Sequence, residues 1–96
     1  MKQSILVEAA RLVDTDRAKD YGDPRDDFKR IATIWSTLLE NKLNTDLTSD
    51  EVGAMMIALK LSRSVYNKKR DNWIDIAGYA HCADICTNYN ISNNAK

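Results

Sequence analysis

The sequence has little proline, glycine and cysteine. Its 96 residues include one Pro, three Gly and two Cys. So few helix-breaking residues, and no sustained period-two alternation of apolar and polar residues, exclude a fold built on paired strands. Cys82 and Cys86 lie four residues apart in one predicted helix with their side chains along the same face, an awkward geometry for a disulfide. His81 does not complete a zinc-binding spacing, so reduced, buried thiols are predicted.

The sequence also lacks a net charge and a long apolar run near its N-terminus. Fourteen Lys and Arg balance fourteen Asp and Glu, which removes the general attraction that nucleic-acid-binding proteins use to gather phosphate backbones. DNA and RNA are therefore not expected partners. The first apolar run covers three residues and is interrupted by Glu8, Arg11 and Asp14, unlike the apolar core of a signal peptide. We expect no membrane segment and a cytoplasmic location.

What is present is the composition of an ordinary folded domain. Hydrophobic residues make up 44% of the chain and charged residues 29%. With a mean hydropathy of −0.48, these values fit neither a disordered segment nor a membrane protein. A chain of 96 residues leaves room for one hydrophobic core. We predict a single helical domain over residues 1–90 and a flexible C-terminal tail over residues 91–96.

The apolar pattern predicts four helices in a compact bundle. The first runs from Ser4 to Ala18 on a single apolar stripe. The second begins at Asp23 and Pro24, because Asp accepts hydrogen bonds from free amides at an N-cap and proline is tolerated at the first helical position. The residues predicted to form the buried face of this second helix are Phe28, Ile31, Ile34, Trp35 and Leu38.

The third and fourth helices also carry start signals. Thr48 and Glu51 form a capping box for the third helix, and Asp71 is predicted to cap the fourth. The side chains predicted to point inward from the third helix are Val52, Met55, Met56, Leu59 and either Val65 or Tyr66. Both helices are apolar around more of their circumference than one core requires. We therefore predict a homo-oligomer, most simply a dimer.

Asp75 is the most unusual polar residue in the sequence. It lies between Ile74 and Ile76 in an apolar segment, where an ionised carboxylate needs a counter-charge or a cation. Asp71 is one helical turn earlier on the same face, so the two acids could converge on one metal ion or one basic side chain. Lys60 and Arg63 interrupt the apolar run of the third helix and are the expected counter-charges.

The turn DYGDPRDDF allows two interpretations. Every residue in it has a backbone reason to be present, because Gly22 can end one helix and Asp23 can begin the next. The helix start also offers unpaired amides suited to a phosphate group, with Arg17 and Arg25 nearby and Tyr21 able to stack on a base. The nearby acids oppose phosphate binding unless a divalent cation mediates it.

Three segments carry a resemblance to known proteins. DYGDPRDDF, MMIALKLSR and DNWIDIAGYA are similar to segments of a family of small phage-encoded proteins, over most of residues 17–83. More distantly, the acid and apolar segment that begin at Asp75 resemble the fourth-helix motif of MazG-like all-α nucleoside triphosphate pyrophosphohydrolases. That resemblance implies Mg²⁺ as cofactor, Asp75 as the metal-binding and catalytic acid, Asp71 as its companion and, for a phage protein, the host cytoplasm as location.

The chain departs from the enzyme pattern in its number of acids. The position three residues before Asp75 is Asn72, and a site with fewer carboxylates could bind nucleotide without cleaving it. Three hypotheses follow: a Mg²⁺-dependent nucleoside triphosphate pyrophosphohydrolase, a protein that sequesters nucleotides or nucleotide signals, and a module that binds a host protein. The ligand-binding residues predicted under the first two are the phosphate clamps Lys60 and Arg63, together with Arg17 and with Tyr21 or Trp73 near the base.

Overall fold

The structure, a computed structural model, describes residues 3–87 and is helical throughout, with no strand in that range. The predicted all-α fold is therefore confirmed. The first helical rod contains α1, a π-helical segment and α2 without a break between them. The elements in chain order are α1 (Ile5–Leu12), the π-helical segment (Val13–Arg17), α2 (Ala18–Tyr21), α3 (Pro24–Leu38), α4 (Ser49–Tyr66) and α5 (Arg70–Cys86).

Local capping chemistry explains where α1, α3 and α4 begin. Ser4 Oγ accepts a hydrogen bond from Leu6 N at 3.0 Å, and Asp23 Oδ1 accepts one from Arg25 N at 2.9 Å. In the predicted capping box, Thr48 N donates to Glu51 Oε1 at 2.9 Å. These bonds satisfy amides that have no partner inside the helix. The helix starts predicted at Asp23 and Thr48 are confirmed.

Two predicted boundaries are wrong. The first rod does not end at Ala18 but continues to Tyr21, because the π-helical segment keeps helical dihedrals and the positive φ of Gly22, 79°, stops the helix only there. Asp71 does not cap α5, whose N-cap is Lys69. Asp71 lies in the first turn instead, where its charge favours the positive end of the helix dipole.

One small cluster of side chains forms the core. Its members come from the first rod, α3, α4 and α5, and all are at most 5% exposed: Val13, Phe28, Ala32, Val52 and Cys82. Burial of this cluster holds the four rods together, because removing apolar surface from water is the dominant favourable term in folding. α5 packs against α1, α3 and α4. It is therefore the central helix of the described fold.

The rotation of α4 differs from the predicted one. α4 turns Gly53 and Lys60 toward α5, and Ser64 is also buried. A Cβ on Gly53 would lie 2.6 Å from Ala83 Cβ, so only glycine allows the two helices to approach this closely. The predicted inward orientation is therefore wrong for four of the apolar side chains, which are exposed: Met55, Leu59, Val65 and Tyr66.

α3 buries less of its apolar face than the periodicity predicts. Phe28 is fully buried and Ile31 and Trp35 pack against the core, but Ile34 and Leu38 are exposed. Leu38 is the last residue of the helix. In the part of the chain that the structure describes, none of the helices has the length and apolar character needed to cross a lipid bilayer. The predicted tail, residues 91–96, lies outside the described residues.

Candidate functional site

An ion pair joins α4 to α5 at the residue that the sequence singled out. Lys60 Nζ lies 2.9 Å from Asp75 Oδ2. The Lys60 side chain is 15% exposed and that of Asp75 is 40% exposed, so Lys60 is the more buried partner. Lys60 reaches this position because Gly53, two helical turns earlier, lets the same face of α4 approach α5. The counter-charge expected for Asp75 is therefore present, and it is Lys60.

A pocket of about 300 Å³ lies where α4 ends and α5 begins. We call it the basic pocket, because its lining contains three cationic side chains and no carboxylate. Its lining residues are Lys60, Arg63, Tyr66, Asn67, Lys69 and Asn72. The structure thus brings together the two residues predicted as phosphate clamps, and it adds Lys69 to them. The volume is at the lower end of the range typical of small-molecule sites.

Asn72 shapes the linker between α4 and α5, residues 67–69, beside the basic pocket. Its side chain is buried, and Nδ2 donates a hydrogen bond to Asn67 O at 2.9 Å. Asn72 N donates to Lys69 O at 3.1 Å, so one residue ties both ends of the linker to the start of α5. This fixes the backbone that carries Lys69. Sequence reasoning did not assign Asn72 this role; the available signal was a polar residue in an otherwise apolar helical segment.

A second, smaller pocket lies between the first rod and α5. Its volume is about 100 Å³. We call it the α1–α5 pocket, and the residues that define it are Leu12, Val13, Arg17, Asp75, Gly78 and Tyr79. Asp75 lines this pocket while its ion-pair partner Lys60 lines the basic pocket. A single contact between two side chains therefore connects the two pockets.

Gly78 lines the α1–α5 pocket at a position where packing against the neighbouring helices does not require a glycine. A Cβ built on Gly78 would meet only Val13 Cγ2, at an ordinary contact distance of 3.7 Å. Gly53 is different, because its Cβ would overlap Ala83. Glycine inside a helix is less favourable than alanine by about 1 kcal/mol. Gly78 thus lowers helix stability and keeps one wall of a pocket free of side-chain atoms.

Arg17 forms the opposite wall and is held by several contacts. Its Nη2 lies 3.2 Å from Asp27 Oδ2, and its guanidinium carbon lies 4.7, 5.6 and 5.3 Å from the ring centroids of Tyr21, Phe28 and Tyr79. Within residues 3–87, Arg17 Nε is buried without a hydrogen-bond partner. Arg17 is thus an internal cation covered by aromatic rings. The predicted ligand residues Arg17 and Tyr21 contact each other, but Tyr21 does not reach the basic pocket's lining.

The turn between the first rod and α3 is internally satisfied. Arg25 Nε and Nη2 donate to the two oxygens of Asp23 at 3.1 and 2.9 Å. The side-chain bonds from Arg25 hold the pKa of Asp23 below its usual value, and the same bonds raise the pKa of Arg25. Asp23 also accepts from the amide of Arg25. The amides that a phosphate would need here thus face a carboxylate that already binds one of them.

The remaining predicted site residues lie apart from both pockets. Asp71 is exposed in the first turn of α5 and Trp73 is 47% exposed. Neither belongs to the lining of the two pockets within the described range. Between residues 3 and 87, no three His, Cys, Asp or Glu side chains converge as a metal-binding group. The structure therefore brings together Lys60, Arg63 and Asp75, with Arg17 on the far wall of the α1–α5 pocket.

The two cysteines are free thiols, as predicted. Cys82 is fully buried, and Cys86 Sγ donates to Pro24 O at 3.5 Å. Burial raises the pKa of the Cys82 thiol. The pKa of Cys86 is raised to about 11, chiefly by burial and to a smaller extent by the nearby Cys82 thiol. Both side chains are consequently protonated at neutral pH, and they act as packing residues rather than as nucleophiles.

These features define an all-helical protein in which an ion pair between two helices connects a basic pocket to a smaller, partly apolar one. The chain matches, over residues 4–87, the family described as a domain of unknown function, DUF6378. The chain belongs to that family. No solved structure matches it.

Two curated relatives come from bacteriophages. The chain is 40% identical over 85 residues to the Gene 55 protein of Mycobacterium phage D29, a match that covers 88% of this chain and 54% of that protein. It is 41% identical over 78 residues to the Gene 55 protein of Mycobacterium phage L5, with 80% and 48% covered. The chain thus spans about half the length of the curated relatives it matches. The predicted resemblance to phage-encoded proteins is confirmed.

Proposed function

We propose that this chain binds a nucleotide through its phosphate groups in the basic pocket. The observation that carries the proposal is the convergence of Lys60, Arg63 and Lys69 on one pocket, to whose lining no carboxylate contributes among residues 3–87. Asp75 neutralises Lys60, the most buried of the three, from the adjoining pocket. Two exposed cations, Arg63 and Lys69, remain to attract a polyanion.

The side chains in the basic pocket differ in ways that suit a polyphosphate. The planar guanidinium of Arg63 can donate two parallel hydrogen bonds to one phosphate, whereas Lys69 supplies a compact point charge. Asn67 and Asn72 add amide groups, although Asn72 already spends one donor on the linker. Tyr66 is 95% exposed at the rim, where its ring could cover a bound sugar.

Hydrolysis of a nucleoside triphosphate is the second candidate function. It is favoured by the resemblance of the Asp75 segment to MazG-like pyrophosphohydrolases, in which acidic side chains hold Mg²⁺. In this chain Asp71 and Asp75 would supply two carboxylates, one helical turn apart on α5. The Lys60 ammonium contacts one oxygen of Asp75 and opposes a second cation there. The donor set within one chain is thus small for catalytic magnesium, and we place binding ahead of turnover.

A thermal-shift screen tests the binding proposal. Ligands are the four common nucleoside triphosphates and inorganic tripolyphosphate, each with and without Mg²⁺, because any ligand that binds the native state raises its midpoint temperature. We expect triphosphates to stabilise the wild-type chain and Arg63→Ala to lose most of that effect. Lys68→Ala is the control, since Lys68 is a nearby residue of the same charge, on the linker that follows α4, but is not in the lining of the pocket. If no phosphate-bearing ligand stabilises the protein, the proposal is wrong.

The same ligands separate binding from turnover. Hydrolysis predicts Mg²⁺-dependent release of pyrophosphate that disappears in Asp75→Asn, with the fold checked by circular dichroism. Binding without chemistry predicts saturable calorimetric binding and intact nucleotide after prolonged incubation. A host-protein interaction module predicts neither result, and co-purification of a host protein in its place.

We also propose that the chain self-associates, most simply as a dimer. Exposed apolar side chains at helical spacing form a stripe on α4, and its members are Met55, Leu59 and Tyr66. Exposed apolar surface of this kind is typical of an interaction surface. Light scattering at micromolar concentration should give a mass above that of one chain. A monomer under these conditions would contradict this proposal without affecting the proposal of nucleotide binding.

A further inference from the structure

We propose that the α1–α5 pocket receives the base of the bound nucleotide, and that it selects a base with an exocyclic amine. This inference rests on the proposed function, because it places the second half of the same ligand. The Lys60–Asp75 contact connects the two pockets. A ligand whose phosphates contact Lys60 is thereby brought beside Asp75 and the mouth of the α1–α5 pocket.

The size and lining of this pocket suit one aromatic ring. A cavity of about 150 Å³ lined by apolar side chains can hold a benzene molecule. The α1–α5 pocket, at about 100 Å³, is smaller than that but open to solvent, so the edge of one base ring can enter it with the rest of the ligand outside. Leu12, Val13 and Ile74 supply apolar walls. Tyr79 adds an aromatic face on which a planar ring can stack.

Asp75 determines which bases fit. Its Oδ2 contacts Lys60, and the carboxylate has a second oxygen with further acceptor capacity. An ionised carboxylate accepts hydrogen bonds and cannot donate them. The exocyclic amine of adenine, cytosine or guanine is therefore attracted to Asp75, whereas the corresponding carbonyl of uracil is repelled.

Gly78 is the observation that distinguishes a ligand pocket from a packing gap. The helix would be more stable with alanine here, and no neighbouring helix is close enough to exclude a Cβ. The space beside Gly78 is instead part of the pocket. A side chain at this position would occupy the volume that the proposed ring needs.

The test compares calorimetric binding of adenosine, cytidine and uridine triphosphates to the wild-type chain and to Gly78→Ala. We expect the wild type to bind the two amine-bearing nucleotides at least about tenfold more tightly than uridine triphosphate, since one hydrogen bond to a charged group distinguishes them. Gly78→Ala should weaken adenosine triphosphate binding about tenfold or more, while its midpoint temperature without ligand rises by about 2–8 °C. Loss of binding in a more stable protein cannot be attributed to unfolding.

Two further variants sharpen the result. Ala80→Ser changes an exposed residue of α5 outside the pocket lining and should leave all three affinities within about twofold of wild type. Asp75→Asn introduces an amide that both donates and accepts, so the preference for adenosine over uridine triphosphate should fall about tenfold even if the phosphates bind more tightly to the released Lys60.

The outcomes separate this inference from the proposed function. Equal affinity for all three nucleotides with unchanged binding by Gly78→Ala overturns the base pocket and leaves phosphate binding intact. No binding by any nucleotide overturns both. If Gly78→Ala changes the oligomeric state and leaves the nucleotide affinities unchanged, a second copy of the chain fills the pocket. This result also overturns the inference.

Discussion

Lys60 Nζ and Asp75 Oδ2 lie 2.9 Å apart, and each residue lines a different pocket. The pair thus has a structural and a proposed functional role at the same time. It neutralises the charge of Lys60, whose side chain is 15% exposed, and it sets the charge at the boundary between the two pockets. Both roles depend on the face of α4 that Gly53 turns toward α5.

The structural role predicts non-additive stabilities. Asp75→Asn alone should lower the free energy of unfolding by about 1–3 kcal/mol, because it leaves the charge of the largely buried Lys60 side chain without its carboxylate. Lys60→Met alone should be milder, since Asp75 is more exposed and can be hydrated. The double variant should therefore be more stable than the sum of the single losses predicts. Urea denaturation of all four proteins provides the cycle, and additive losses would show that the pair contributes no coupling.

Replacing Arg17 should lower the free energy of unfolding more than replacing an exposed arginine nearby in the chain. Arg17→Ala removes a cation covered by three rings and the closer and more buried of the two arginines paired with Asp27, leaving Arg30 at 3.6 Å, so the loss should be about 2–4 kcal/mol. Arg25→Ala is the control, because its ion pair with Asp23 is exposed and screened by solvent, and it should change stability much less than Arg17→Ala. Thermal or urea unfolding distinguishes the two. Equal losses would show that enclosure of Arg17 has no energetic consequence.

The contact between α4 and α5 predicts a substitution and its rescue. Gly53→Ala should destabilise the protein by about 1–3 kcal/mol, because the new Cβ would lie 2.6 Å from Ala83 Cβ and the helices must separate. Adding Ala83→Gly removes the opposing Cβ and should recover at least about half of the loss. Unfolding midpoints of the single and double variants measure this. A Gly53→Ala protein as stable as wild type would show that the helices are not held at this separation.

The raised pKa of Cys86 predicts a dependence of stability on alkaline pH. The thiol has a pKa near 9.0 in the unfolded chain and about 11 in the folded one. A group whose pKa rises on folding contributes its full stability below the unfolded value and loses it as pH rises through the folded value. Stability should thus fall between pH 9 and 11, and less so in Cys86→Ala. The difference between the two unfolding curves against pH isolates this thiol from other groups, and identical curves would contradict the assignment.

Local chemistry is what made part of this fold predictable. Asp23 with Pro24 and Thr48 with Glu51 specify helix starts within a few residues, so no long-range information is needed. The Lys60–Asp75 contact was also accessible, because a charged residue in an apolar helical segment must find a counter-charge and Lys60 and Arg63 are the cations that interrupt the other apolar helical run.

Features that depend on tertiary packing were not accessible in the same way. α4 is apolar around much of its circumference, so periodicity alone could not tell that Met55 and Leu59 face outward while Gly53 faces α5. Tyr21 is one helical turn after Arg17, but Asp27, Phe28 and Tyr79, which also enclose Arg17, lie at spacings that carry no helical relationship to it. In the sequence, Asn72 stood out only because the enzyme pattern has an acid at that position. Its hydrogen bond to the linker could not be predicted, because that bond exists only once the turn has formed.

The central claim is that a nucleotide binds across the Lys60–Asp75 pair, and an NMR titration tests it most directly. Uniformly ¹⁵N-labelled protein with assigned backbone amides is titrated with adenosine triphosphate. The account predicts that the largest shift changes occur around the basic pocket, at Asn67, Lys69 and Asn72, and on the wall of the α1–α5 pocket, at Gly78 and Tyr79. Changes concentrated at residues 22–25, or no saturable change at millimolar nucleotide, would contradict it.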